Sequence, residues 1–171
     1  MLNEERIEEA NKNVRRYLDE DLIKKEQFKK VVFDTYMRNH RESLIVANKL
    51  YQEDVSSLWT VVISYYSMFY IANAILYKLG YKVGTKIAHK ITGDAIIVFV
   101  REKLKKSMIE EYEIASNEAL MLSDTLLDSY DKEIVKRSTF QYETTEEIKA
   151  AKAKTSLKRA EEFSKEIEKL L

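Results

Sequence analysis

The run from Val55 to Tyr77, VSSLWTVVISYYSMFYIANAILY, contains no Asp, Glu, Lys or Arg, in a chain of which 34% of the residues are charged. Ser56 or Ser57 is placed to cap it, because a side-chain hydroxyl accepts from an orphan amide of a first helical turn. Leu79-Gly80 closes it, and Gly is common just past a helix end because it adopts positive φ without strain. Leu58, Val61, Val62, Tyr65, Phe69, Ala72, Leu76 and Leu79 recur at helical spacing. The opposite side, with Trp59, Ile63, Tyr66, Tyr70 and Tyr77, is not polar either. A helix apolar nearly all round lies at the centre of a bundle or crosses a membrane. Its length would suffice to span a bilayer. Its tyrosines, serines and asparagine, and flanks without Lys/Arg asymmetry, favour the buried helix.

The rest of the chain is able to cover such a helix. Its 171 residues predict a single domain with a proper core. Proline is absent and glycine occurs three times, so long helices with short connections are expected. Cysteine is absent, which excludes a disulfide framework and thiolate metal sites. The N-terminus lacks the pattern of a signal peptide, and the cytoplasm is the expected location. Basic and acidic residues number 29 each. A constitutive, non-specific nucleic-acid binder is usually basic, so any RNA contact would rest on a local patch.

In chain order, Asn3 to Leu22 reads as an amphipathic helix capped by Asn3, with Ile7, Ala10, Val14, Tyr17 and Leu18 on one face. Glu26 to Asp54 reads as a long helix with a polar interruption around Asn39 that invites a kink or break. Beyond the central run a loop leads to a helix expected from Thr85 to about Leu104, with Gly93 inside it for close packing against the central helix. Ser107 to Glu110 and Thr144 to Glu147 are capping-box patterns opening two further helices. The basic residues of the last helix are interleaved with glutamates, the pattern of a solvated face.

Ser64-Tyr-Tyr-Ser-Met-Phe-Tyr-Ile-Ala-Asn-Ala-Ile-Leu76, followed by Gly80, Lys86 and His89, resembles the signature of the small prokaryotic HEPN proteins. The resemblance continues through Arg137-Ser-Thr-Phe-Gln-Tyr142 to Ala160 and Phe163, and spans roughly 41–171. It leaves 1–35 as an N-terminal extension or extra helix. The resemblance implies an all-α, HEPN-like bundle of five or six helices around the apolar helix, a homodimer, and a minimal nucleotidyltransferase as partner in a toxin–antitoxin or defence pair. It further implies RNA or nucleotide as ligand, with no cofactor.

The HEPN ribonuclease pattern is an Arg followed by a His after four to six residues. A guanidinium suits a phosphate and an imidazole suits proton transfer near neutral pH. Here Arg137 is present, but Tyr142 stands where the resemblance puts the His. A phenol, with a reference pKa of about 10, is a poor general base at neutral pH. Cleavage is therefore expected to be weak or absent. Arg137, Tyr142, Lys86 and His89 become candidates for holding a phosphate or nucleotide. No metal site is expected, because only two histidines occur and neither sits with carboxylates on one helical turn. Trp59 and the Tyr65-Tyr66 pair read as core or dimer-interface residues. The alternative function is a non-catalytic homodimeric scaffold for another protein.

Overall fold

The computed structural model describes residues 2–131 and 146–171. The described chain is an all-α bundle with one minimal two-stranded antiparallel sheet. Its elements are α1 (Glu4–Asp19), β1 (Ile23–Lys25), α2 (Lys30–Gln52), α3 (Ser57–Lys78), β2 (Tyr81–Val83), α4 (Ala88–Phe99), a 3-10 turn (Arg101–Lys103), α5 (Lys106–Asp131) and α6 (Glu146–Glu168).

The uncharged run forms α3, and α2, α4, α5 and α6 all pack against it. Ser56 is its cap: Oγ accepts from the Trp59 amide at 3.3 Å. Gly80, at φ 90°, follows its end. Tyr65, Met68, Ile71, Ala72, Ala74, Ile75 and Leu76 of α3 enter one continuous core with Ile91 and Ile96 of α4, Tyr112 of α5 and Phe163 of α6. Among the described residues α3 is the one helix long and apolar enough to cross a membrane, and 67% of its most apolar window is buried in the bundle.

The amphipathic face expected for α1 is the buried one. Ala10, Val14 and Tyr17 are inside, and Asn3 Oδ1 accepts from the Arg6 amide at 2.8 Å. This helix docks on α4. It ends at Asp19 because Asp21 takes a left-handed conformation (φ 58°) and the Leu22 amide returns to the Tyr17 carbonyl at 2.9 Å. That is the 6→1 bond of a Schellman motif, made with Asp where Gly is usual. Asp54 (φ 50°) repeats the device at the end of α2, with the Val55 amide on the Leu50 carbonyl at 3.0 Å.

Several expected boundaries move. The second helix starts at Lys30 rather than Glu26, because Ile23–Lys25 pairs antiparallel with Tyr81–Val83. The Gly84 amide extends this pairing to the Leu22 carbonyl at 2.8 Å, an approach so close that a Cβ on Gly84 would lie 3.0 Å from that oxygen. The expected interruption near Asn39 does not break α2. His40 is buried there, with Nδ1 3.1 Å from the Ser67 carbonyl oxygen and 2.8 Å from Ser67 Oγ. The fourth helix is shorter than expected at both ends, and Gly93 faces Tyr112 of α5 rather than α3. Ser107 is no cap, since α5 begins one residue earlier at Lys106. The Thr144 capping box lies outside the described residues. Arg159 departs from the solvated pattern of the last helix: it pairs with Glu111 and Glu118 of α5, whereas Lys158 faces solvent.

Candidate functional site

His89 is brought to its place by two elements. On α3, Tyr65, Tyr66 and Phe69 project to one side, and the imidazole rests among them with ring centroids 5.5, 5.6 and 4.4 Å away. On the other side, α4 begins at Ala88 after Ile87 has taken a left-handed conformation (φ 44°). A β-branched residue there is strained, at a cost of about 1–3 kcal/mol, and persists only when its surroundings dictate it. The strain therefore sits immediately before the turn that carries His89.

A chain of hydrogen bonds holds the imidazole. Ser116 Oγ of α5 donates to the Tyr65 hydroxyl at 3.0 Å, and that hydroxyl lies 2.8 Å from His89 Nδ1. With Nδ1 engaged, Nε2 is the ring nitrogen left to meet a ligand. Burial lowers the His89 pKa, so the ring is neutral at neutral pH. Burial likewise raises that of Tyr65. Beside it lies Tyr112, 1% exposed, whose hydroxyl forms no well-aligned hydrogen bond although the two phenols are close enough to interact. Burial, then the charge and hydrogen bonding of Tyr65, push its pKa well above the usual phenol range.

His89 and Tyr112 line a cleft of about 710 Å³ between α1, α4 and α5. One end is closed by a clasp around Asp94, a fully buried carboxylate. Arg6 Nη2 donates to it at 2.7 Å, Asn13 Nδ2 at 3.0 Å and the Tyr17 hydroxyl at 3.1 Å. Arg6 also donates through Nε to Glu113 at 2.8 Å. Burial works against the Arg6 charge, but the bonds and charges of Asp94 and Glu113 outweigh it and leave its pKa raised. Glu110 accepts the Leu2 amide at 2.9 Å and pins the start of the chain to α5.

Of the four candidates from the sequence, His89 lies in the cleft. Lys86 is exposed in the turn before α4 and is not part of the cleft wall. Arg137 and Tyr142 lie outside the described residues. Sequence reasoning passed over Arg6, Asp94, Tyr112 and Ser116. Asp94 carried a signal, being the lone acid of a helix whose neighbours Ile91, Ala95, Ile96 and Ile97 are core residues. Tyr65 is core as expected, Tyr66 is half-buried, and Trp59 is 47% exposed, which removes it from the core and leaves the interface reading. Among the described residues no three His, Cys, Asp or Glu side chains are grouped to hold a metal ion. No family model matches the chain, and no curated protein or solved structure matches it at a significant level.

Proposed function

We propose that this protein is an RNA- or nucleotide-binding member of the HEPN class, working in the cytoplasm beside a minimal nucleotidyltransferase in a toxin–antitoxin or defence pair. The observation that carries the reading is His89: a neutral imidazole, oriented by Tyr65 and Ser116, at the edge of an open cleft. It follows the Tyr-Tyr-x-Met-Phe run at the spacing on which the resemblance rests. Lys86 and Lys90 flank it, both exposed and neither in an ion pair among the described residues. They form the local basic patch that a chain of zero net charge needs to meet a phosphate. Cleavage is weak or absent. Tyr142 is a poor base, and Arg6, the guanidinium that shares the cleft with His89, is committed to Asp94 and Glu113. The test is fluorescence anisotropy of the full chain with single-stranded RNA at low and physiological salt, beside a cleavage assay. Binding that weakens with salt and with Arg137→Ala or Lys86→Ala is expected. No binding at low salt, or rapid metal-independent cleavage, refutes the reading.

The scaffold reading has its own support. Trp59 (47% exposed) continues into half-buried Ile63, Tyr66 and Tyr70 along one side of α3, and Val55 (61%) is exposed just before its cap. Aromatic residues of this kind anchor interfaces. A homodimer using that face twice would be isologous. Trp59 is the lone tryptophan, so its emission should shift to the blue as concentration drives pairing. Trp59→Lys should abolish both that shift and the dimer mass in light scattering. A monomer at micromolar concentration refutes the dimer.

A further inference from the structure

The cleft beside His89 has the wrong sign for a phosphate. Glu9, Asp94, Glu110 and Glu113 line it, against Arg6 and Lys90. Arg6 is already spent on three of those carboxylates, Glu9, Asp94 and Glu113. An anion placed there would face four carboxylates against two cations across a partly desolvated gap, where like charges repel more strongly than in water. What the cleft offers instead is neutral and adaptable. His89 has one uncommitted ring nitrogen, and the buried Tyr112 hydroxyl lacks a well-formed partner. Both donate or accept according to the proton arrangement. A buried hydroxyl whose neighbour, Tyr65, is poorly aligned with it is under-satisfied, and such groups in native structures call for a better partner. Ile114, 42% exposed, adds an apolar wall on which a flat ring can lie.

We infer that this cleft takes the base of a nucleotide, a neutral planar heterocycle hydrogen-bonded by His89 Nε2 and the Tyr112 hydroxyl, while the phosphate stays outside it. The inference rests on the nucleotide reading above and assigns the two ends of that ligand to different surfaces. The carboxylate rim favours bases with exocyclic amines, which donate to Glu110 or Glu113. The exposed Lys86 is left for the phosphate.

The chain has two histidines, so their imidazole proton resonances separate cleanly in NMR. His40 is buried against Ser67 and serves as an internal control. The full chain is titrated with adenosine and cytidine, with the matching 5′-monophosphates, and with inorganic phosphate. Both nucleosides or one of them should move the His89 resonance and leave that of His40 in place, and inorganic phosphate should move neither. Tyr112→Phe should weaken nucleoside binding roughly tenfold, the loss of about one hydrogen bond. It should leave thermal stability nearly unchanged, because the hydroxyl it removes makes only a poorly aligned contact with Tyr65 in the free protein. Lys86→Ala should weaken the monophosphate and not the nucleoside. A His89 shift produced by phosphate but by neither nucleoside overturns the inference. So does RNA binding with no His89 response to any nucleoside, which places the ligand elsewhere and leaves the nucleotide reading standing. Absence of binding by RNA and nucleosides alike overturns both.

Discussion

Arg6→Ala is the sharpest perturbation of the fold. Asp94 is fully buried, and among the described residues its carboxylate is matched by one cation, Arg6. Removing one partner of a buried ion pair costs about 3–5 kcal/mol, because the other charge stays behind in a poor solvent for it. Two facts reduce that figure here. The Arg6 side chain is 25% exposed, so part of the pair is screened, and Asn13 and Tyr17 still donate to Asp94. A loss of about 2–4 kcal/mol is expected. Urea denaturation measures it: with a slope of about 2–3 kcal/mol/M the midpoint should fall by roughly 1–2 M at unchanged slope. The double variant Arg6→Met/Asp94→Leu removes both charges and should recover most of the loss, since apolar replacements of a buried pair are often neutral or stabilising. Tyr17→Phe, which deletes one neutral donor, should cost about 1 kcal/mol. The reasoning is refuted if Arg6→Ala costs less than about 1 kcal/mol, or if the double variant is as unstable as the sum of its two single substitutions.

Acid should destabilise the protein in a window set by its histidines. Burial lowers the pKa of His40 and of His89 below the ordinary value of about 6.5, so the unfolded chain binds more protons than the folded one as pH falls. Their contribution is fully present above about pH 6.5 and is lost as pH falls toward the folded-state values. Melting temperatures measured from pH 8 to pH 5 should drop below 6.5, and a flat profile counts against it. Gly84→Ala should cost about 1–3 kcal/mol, because its Cβ meets the Leu22 carbonyl at 3.0 Å and backbone gives way poorly. Gly93→Ala should be neutral or stabilising by up to about 1 kcal/mol, with only Tyr112 Cε1 at 3.9 Å and a helical position to strengthen. Chemical denaturation of the two variants settles both, and equal effects would contradict the contrast.

What was legible in the sequence follows from how many residues carry each signal. The central helix announces itself through a long uncharged run, and α1 through a periodic face with a cap. The β1–β2 pairing involves three residues on each side, too few for any alternation to register. The ends of α1 and α2 are set by Asp21 and Asp54 in left-handed conformations, where Gly would have been the recognisable stop. The cleft was the least legible feature. Arg6, His89 and Tyr112 come from three helices, and no local spacing relates residues so far apart in sequence.

The polar residues inside the uncharged run explain why this helix belongs in a protein interior and not merely in an apolar one. Ser67 meets His40 of α2. Asn73 donates to the Thr92 hydroxyl of α4 at 3.2 Å and to the Phe69 carbonyl at 2.8 Å. The Tyr77 hydroxyl donates to the Gln27 carbonyl and accepts from the Lys29 amide, each at 3.2 Å, fixing the segment between β1 and α2. Tyr65 reaches His89 and Ser116. Each of these groups would be costly to bury alone and is costly to mispair. An all-apolar helix would let its neighbours slide and rotate at little penalty. Here a one-turn slip of α2 or α4 along α3 leaves a buried hydroxyl, amide or imidazole without its partner. The same polar set that argues against lipid therefore fixes the register of the bundle. Its Tyr65 branch holds His89 at the cleft, so the core's alignment and the site's geometry share one group of hydrogen bonds.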